Sequence, residues 1–253
     1  MTYAEAHEKM FDRNYFGMMM VEAGEADAFI TGTYSKYAET IQIAKEVIGI
    51  REGYKHFGAM HIITTPKGTF FLADTLNTKC GTYFLADTLI NRKPTTETLI
   101  DIAKLSYDSV RFFAKDPVIA MVSYSNFGSD NQGSPLRVHE AIKILHEQYP
   151  EIIIDGEMQM NFALNNKLRD KSYPFNKLKG REVNTIVFPN LSSANSAYKM
   201  MLEMGVAESI GPIQMGLNKP IHFTDIASST RDIVNLTTVA VLDAIVQERR
   251  NKQ

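Results

Sequence analysis

The run Val118-Ile119-Ala120-Met121-Val122, opened by Pro117 and closed by Ser123, constrains the fold of this chain most. Five successive apolar residues leave no polar face. A strand made from them is buried on both sides, and such strands belong to parallel sheets covered by helices. Apolar segments at 28–32, 60–64, 151–155 and 185–188 read as further strands, the first leaving through Gly32. Between them lie segments with apolar residues at helical spacing: 3–24 with an interruption near Gly17, 37–48, 95–113, 135–148, 194–204 and 230–249. Residues 156–168 read as a loop and helix, and 207–213 as a segment ending in Gly211-Pro212-Ile213. Ser129, Asp130 or Ser134 is available to cap the helix at 135–148. Alternating strands and helices predict an α/β fold with a mostly parallel sheet and right-handed crossovers.

Composition narrows the function classes. The 253 residues are 44% apolar and 22% charged with a net charge of −2, as in ordinary globular proteins of one large or two smaller domains. That charge gives no electrostatic case for a nucleic-acid partner. No apolar run approaches the ~20 residues of a membrane span. The first ten residues carry Glu5, Glu8 and Lys9 without an apolar core, unlike a secretory signal. The single Cys80 cannot form an intrachain disulfide and fits a reducing cytosol, so a cytoplasmic location is expected. The thirteen Met residues read mainly as core fillers.

One feature is irregular. Gly68-Thr69-Phe70-Phe71-Leu72-Ala73-Asp74-Thr75-Leu76 recurs 13 residues later as Gly81-Thr82-Tyr83-Phe84-Leu85-Ala86-Asp87-Thr88-Leu89. Two copies do not make a solenoid. In a single strand that odd offset would turn the two copies to opposite faces. A tandem duplication with one copy displaced into a loop or an added strand is expected.

In parallel α/β sheets, ligands bind in loops at the C-terminal ends of the strands. Three such loops stand out. Residues 123–130, Ser-Tyr-Ser-Asn-Phe-Gly-Ser-Asp, place small hydroxyl residues and Gly before a helix, where backbone N–H groups can meet an anion. The same residues also serve as an ordinary cap and turn. Residues 155–159, Asp-Gly-Glu-Met-Gln, gather two carboxylates and an amide, although acids at a helix start are common. Residues 188–195, Phe-Pro-Asn-Leu-Ser-Ser-Ala-Asn, allow close approach of a ligand to the backbone, or simply cap a helix. No Gly-x-Gly-x-x-Gly, P-loop or paired-Cys zinc pattern is present. His222 lies beside the last candidate stretch, where a lone His is more often structural.

Together and in this order, the loops resemble those of the phosphotransacetylase family (phosphate acetyl- and butyryltransferases). That family carries Ser-x-Ser-Thr-Lys-Gly-Ser-Ala, Asp-Gly-Glu-Leu-Gln and Phe-Pro-Asp-Leu-x-x-Gly-Asn-x-x-Tyr-Lys. Glu-Ala-Ile-Gly-Pro-Ile and Lys-Pro follow. The counterparts here are residues 123–130, 155–159, 188–199, 208–213 and Lys219-Pro220, within a likeness spanning about residues 13–246. Arg13 to Val21, Ala26 to Gly32 and Gly68 to Thr75 are most similar to the phosphotransacetylase-like C-terminal domain of bacterial NADP-dependent malic enzymes.

The resemblance implies three-layer α/β lobes with mostly parallel sheets and a cleft between two lobes. Residues 1–48 with 214–253 are expected to form the first lobe, N-terminally incomplete relative to the family, and residues 49–213 the second. It further implies acetyl-CoA or a related acyl-CoA as ligand. Ser123, Ser125, Asn126, Gly128, Ser129, Asp155, Glu157, Gln159, Asn190, Asn195, Gly211 and Pro212 would be the binding residues, and Asp232 the residual catalytic position. The family's catalytic Ser-Arg pair reads Asp225-Ile226 here, its first-loop Lys reads Phe127, and its Asp after Phe-Pro reads Asn190. Acetyl phosphate chemistry requires cations to hold the anion, and Asp225 would repel it.

Three readings remain open. The first is an acetyl-CoA-binding regulatory domain serving a malic enzyme catalytic domain, which would itself hold NADP and a divalent metal. The second is an active phosphate acetyltransferase with Asp232 as base. The third is an oligomerisation domain alone, the family implying a homo-oligomer.

Overall fold

The computed structural model describes residues 2–32, 34, 36–65, 81–86, 90, 91, 93–113, 115–205, 208–224 and 227–251. In chain order the elements are α1 (Tyr3–Lys9), α2 (Arg13–Ala23), β1 (Phe29–Thr31), α3 (Tyr37–Val47), β2 (Gly58–Thr65), β3 (Gly81–Ala86), α4 (Thr96–Phe112), β4 (Ile119–Val122), α5 (Gly133–Gln148), β5 (Ile154–Met158), α6 (Met160–Leu164), α7 (Asn166–Ser172), β6 (Thr185–Val187), α8 (Leu191–Glu203), β7 (Glu208–Met215), β8 (Ile221–Phe223) and α9 (Thr230–Asn251). The fold is α/β. The chain divides into two compact units, Met1–Phe57 with Ile210–Gln253, and Gly58–Ser209.

The continuous apolar run forms β4, which is buried at every position, as two-sided coverage demands. The six-stranded sheet has the order β5-β4-β6-β3-β2-β7. β4 runs parallel to both β5 and β6, and β6 runs parallel to β3. The β2–β3 pair is antiparallel, with Ile62 opposite Phe84 and Met60 opposite Ala86. β3 is the second copy of the repeated segment, and the first copy lies outside the described residues. One core gathers Ile63, Leu85, Ala120, Val122, Met158 and Ile186 from the strands, Phe188 just after β6, and Ala194 and Tyr198 from α8. α4 starts at a Thr95 cap, whose side chain accepts from the Thr98 N–H, and buries Leu99, Ile102, Ala103, Leu105 and Val110.

Several boundaries differ from the sequence pattern, each for a local reason. The break in the first helical segment falls at residues 10–12, where Asp12 accepts from the Asn14 and Tyr15 N–H groups and caps α2. Gly17 lies inside α2 because Phe29 packs against it: a Cβ there would stand 2.3 Å from the ring. α5 begins at Gly133 after Gln132, which makes no side-chain cap bond. Neither Ser129 nor Asp130 caps it, since both side chains bond within the preceding loop. Residues 151–153 are a turn, so β5 starts three residues later than the apolar pattern suggests. β7 continues past Gly211-Pro212 to Met215.

In the unit formed by the chain ends, β1 and β8 make a two-stranded parallel sheet with Phe29 opposite Ile221 and Thr31 opposite Phe223. His222 on β8 is buried. Its Nδ1 accepts the Gln214 N–H at 3.2 Å, which places the ring proton on Nε2, 3.7 Å from Asp243 Oδ2. Burial lowers the His222 pKa to about 4. The folded state therefore resists protonation, whereas the unfolded chain takes up the proton near the ordinary 6.5. Stability from this group is full above pH 6.5 and falls as pH drops towards 4, by roughly 3 kcal/mol in total. His222→Asn keeps an acceptor but cannot titrate. We expect it to flatten that part of the urea-unfolding pH profile, and unchanged slopes would contradict the assignment.

Candidate functional site

The loop leaving β4 is tied to β5 through one carboxylate. Along the β4–β5 ladder Met121 pairs with Gly156 and Val122 with Met158, so Glu157 is the extra residue of a bulge. A bulge turns a side chain out of the regular alternation. Gly156 makes the close approach possible: its φ is 152°, and a Cβ there would stand 2.4 Å from the Met121 carbonyl oxygen.

The Glu157 side chain has no solvent exposure. Its Oε1 accepts the Gly128 N–H at 2.6 Å and the Ser125 hydroxyl at 3.2 Å. Its Oε2 lies 3.4 Å from His139 Nδ1, within ion-pair reach but without an aligned hydrogen bond. Ser125 Oγ also accepts the Asp130 N–H and stands 2.8 Å from Ser129 Oγ. Because the Ser125 proton points at Glu157, the Ser129 hydroxyl must donate to Ser125, leaving Ser129 Oγ to accept the Asn126 N–H. A second clasp runs beside the first. Asn126 Oδ1 accepts the Gln159 N–H, Asn126 Nδ2 donates to Gln159 Oε1, and Gln159 Nε2 donates to the Tyr124 carbonyl.

These bonds hold a strained turn. Phe127 has φ 45° and Gly128 φ 85°. A left-handed non-glycine residue costs on the order of 1–3 kcal/mol. A single hydrogen bond to a buried carboxylate returns about as much, so the Gly128 N–H contact alone can hold the turn. The Phe127 ring adds packing against Tyr173 and Phe175, with centroids at 4.8 and 5.3 Å.

The remaining predicted site residues have separate settings. Asp155 is buried on β5 and accepts the Lys177 and Gly156 N–H groups, with His146 Nε2 at 3.9 Å. Burial raises its pKa above the usual carboxylate value, against the pull of those bonds. Asn190 caps α8 by accepting the Ser193 N–H, and Asn195 is half-buried on that helix. Gly211 and Pro212 lie in β7. Asp232 forms a capping box at the start of α9: it accepts the Ser229 N–H and hydroxyl, and its own N–H donates back to Ser229. Asp225 and Ile226 lie outside the described residues.

The structure thus brings Ser125, Asn126, Gly128, Ser129, Glu157 and Gln159 into one network, and Ser123 enters it through its N–H on the Met158 carbonyl. Sequence reasoning missed His139, His146 and the ring cluster of Tyr173, Phe175 and Phe162. His139 and His146 lie on the helix that follows the loop and the three rings lie farther along the chain, and no local signal marks any of them.

Chemically, the network is a scaffold and not a nucleophile relay. The Ser125 hydroxyl donates to a carboxylate and accepts from two donors, so no lone pair is left for attack. The Ser123 hydroxyl differs: its oxygen is buried and has no partner among the described residues. A buried hydroxyl in that state calls for a hydrogen-bond partner beyond those the described residues supply. Among the described residues, no three His, Cys, Asp or Glu side chains gather as metal ligands do, and no helix is long and apolar enough to cross a membrane. Glu157→Ala leaves the buried Ser125 hydroxyl and the partly buried Gly128 N–H without their acceptor and should lower unfolding free energy by about 2 kcal/mol, with Glu157→Gln costing less. A loss for Ala below about 0.5 kcal/mol in urea titration, the range of an ordinary surface change, would remove Glu157 from this role.

The family model for phosphate acetyl/butaryl transferase matches residues 1–241. The NADP-dependent malic enzyme of Salmonella typhimurium is 36% identical over 245 residues, which are 96% of this chain and 30% of that protein. The phosphate acetyltransferase of Bacillus subtilis is 32% identical over 244 residues, covering 96% of this chain and 71% of that one. Among solved structures, a phosphotransacetylase from Streptococcus pyogenes superposes with a TM-score of 0.85 at 32% identity, over 96% of this chain and 70% of that one. The chain therefore spans under a third of the malic enzyme and about seven-tenths of the phosphotransacetylases.

Proposed function

We propose a function for this chain from one established premise: it belongs to the phosphate acetyl/butaryl transferase family. The chain is an acetyl-CoA-binding regulatory domain of an NADP-dependent malic enzyme and does not itself transfer acyl groups. It works in the cytoplasm as a homo-oligomer. Oxidative decarboxylation of malate, with its NADP and divalent metal, belongs to a separate malic enzyme catalytic domain.

The observation that carries this reading is the replacement of the family's catalytic Ser-Arg pair by Asp225-Ile226, in a chain that aligns with malic enzymes along nearly its whole length. A second change agrees with it. The loop residue that is Lys in the family is Phe127, whose ring packs with Tyr173 and Phe175 and offers no cation to a phosphate. Asp232, the candidate base of an active enzyme, has its carboxylate engaged by Ser229 at the start of α9.

The Ser123 hydroxyl supplies a neutral, buried donor with no partner among the described residues. Acetyl-CoA would bring a thioester carbonyl that accepts one hydrogen bond. Ser125, Ser129, Asn126, Gln159 and Glu157 hold the loop in shape for that contact. Binding can act on a distant active site only by favouring one of two conformations, through the difference in affinity for the two.

The nearest alternative is an active phosphate acetyltransferase, favoured by the chain's coverage of the Bacillus enzyme. Two measurements on one sample separate them: calorimetric titration with acetyl-CoA, and a phosphate-dependent acetyl transfer assay. We expect saturable binding without turnover. Turnover would establish the alternative, and no saturable binding at millimolar acetyl-CoA would end the sensing reading. In the assay, Asp225→Ser with Ile226→Arg should raise acetyl transfer above the unmodified chain if the rest of the site is intact.

A further inference from the structure

Residues 166–182, which are α7 and the loop after it, carry a charge out of keeping with the chain. They hold six cations, Lys167, Arg169, Lys171, Lys177, Lys179 and Arg181, against Asp170 and Glu182. That is a net +4 within a chain of net −2, so the other residues together carry −6. Arg169 is buried and the other five cations are exposed. Exposed charge of one sign, concentrated in this way, attracts a ligand of the other.

Arg169 gathers them. Its side chain has no solvent exposure. Its Nη2 donates to the Leu178 carbonyl at 2.8 Å and to the Arg181 carbonyl at 2.7 Å, and its Nε to Asn176 Oδ1 at 3.1 Å. Asp170 accepts the Gly180 N–H at 2.7 Å, and Asp155 accepts the Lys177 N–H at 2.6 Å. The backbone that bears Lys177, Lys179 and Arg181 is thereby folded back onto α7 and fixed, against the mutual repulsion of its charges.

An open aromatic ring stands in the same loop. Phe175 is 70% exposed. Phe127 and Tyr173 meet it at 78° and 76°, with centroids at 5.3 and 6.0 Å, so neither ring is stacked flat on it. The ring is held by its neighbours while most of it stays in water. An anchored ring with cations around it is the chemistry that takes a nucleoside phosphate: the ring stacks on the base, and the cations meet the phosphate oxygens.

We propose that the loop of residues 171–181 binds a nucleoside phosphate, with Phe175 under the base and Lys177, Lys179 and Arg181 around the phosphates. That group occurs as a free nucleotide and as the adenosine end of coenzyme A. Only the second source rests on the acetyl-CoA reading above.

The chain has no tryptophan, so Phe175→Trp places a single fluorescent reporter in the loop. ADP and acetyl-CoA are titrated separately, and we expect saturable quenching as a base stacks on the indole. Lys177→Gln with Lys179→Gln in the same background should weaken that binding at least about fivefold, with an unchanged circular dichroism melt. On the chain with no reporter, Phe175→Ala should weaken calorimetric binding of the same ligand by about fivefold or more. Quenching by acetyl-CoA assigns the group to coenzyme A, and quenching by ADP alone assigns it to a free nucleotide. Quenching by neither at millimolar concentration, with calorimetry indifferent to Phe175→Ala, overturns the proposal. Quenching indifferent to loss of the two lysines also overturns it. Calorimetric binding of acetyl-CoA that neither quenches the reporter nor responds to Phe175→Ala removes this loop as its contact and leaves the acetyl-CoA reading standing.

Discussion

The candidate site depends on one buried carboxylate. Glu157 leaves the regular ladder at a bulge in β5 and reaches under the loop that follows β4. There it meets the Gly128 N–H, the Ser125 hydroxyl and the His139 ring. A buried carboxyl group without solvent must have hydrogen-bond partners, and the loop must adopt the turn that supplies them. The left-handed Phe127 and Gly128, the directed chain of serine hydroxyls and the Asn126–Gln159 clasp follow from that requirement. Glu157, a binding candidate in the sequence, fixes the shape of this loop through those bonds.

Other candidate positions are held by the backbone in a similar way. Asp155, Asn190 and Asp232 all read as binding or catalytic candidates. In the structure each accepts backbone N–H groups: at Lys177 and Gly156, at Ser193, and at Ser229. Caps and buried acceptors of this kind are what a precisely held loop system needs. They serve the fold itself, in a domain that keeps the family's fold and loops while the family's Ser-Arg pair and loop Lys read Asp225, Ile226 and Phe127 here.

Much of the fold was legible because its strands are apolar runs and its helices keep a regular stripe. β4 needed only five residues to announce a two-sided parallel sheet, and α4 showed its buried face in its spacing. The three loops were legible as loops of interest. What the sequence hid is non-local. Glu157 and Ser125 are 32 residues apart, and nothing near either announces the bulge that joins them. The start of α5 was misplaced because Ser129 and Asp130, good caps by type, bond within the loop instead. β8 escaped notice because three residues, Ile221–Phe223, carry no period of their own and exist as a strand only beside β1.

The central claim is that the loop of residues 123–130 is a pre-shaped acyl-CoA contact and not a worn catalytic remnant. Hydrogen–deuterium exchange with and without acetyl-CoA tests it most directly. The account predicts that acetyl-CoA slows exchange at the backbone amides of residues 123–130, with lesser change along β5. An exchange pattern in this loop that acetyl-CoA leaves untouched at saturating concentration would contradict it.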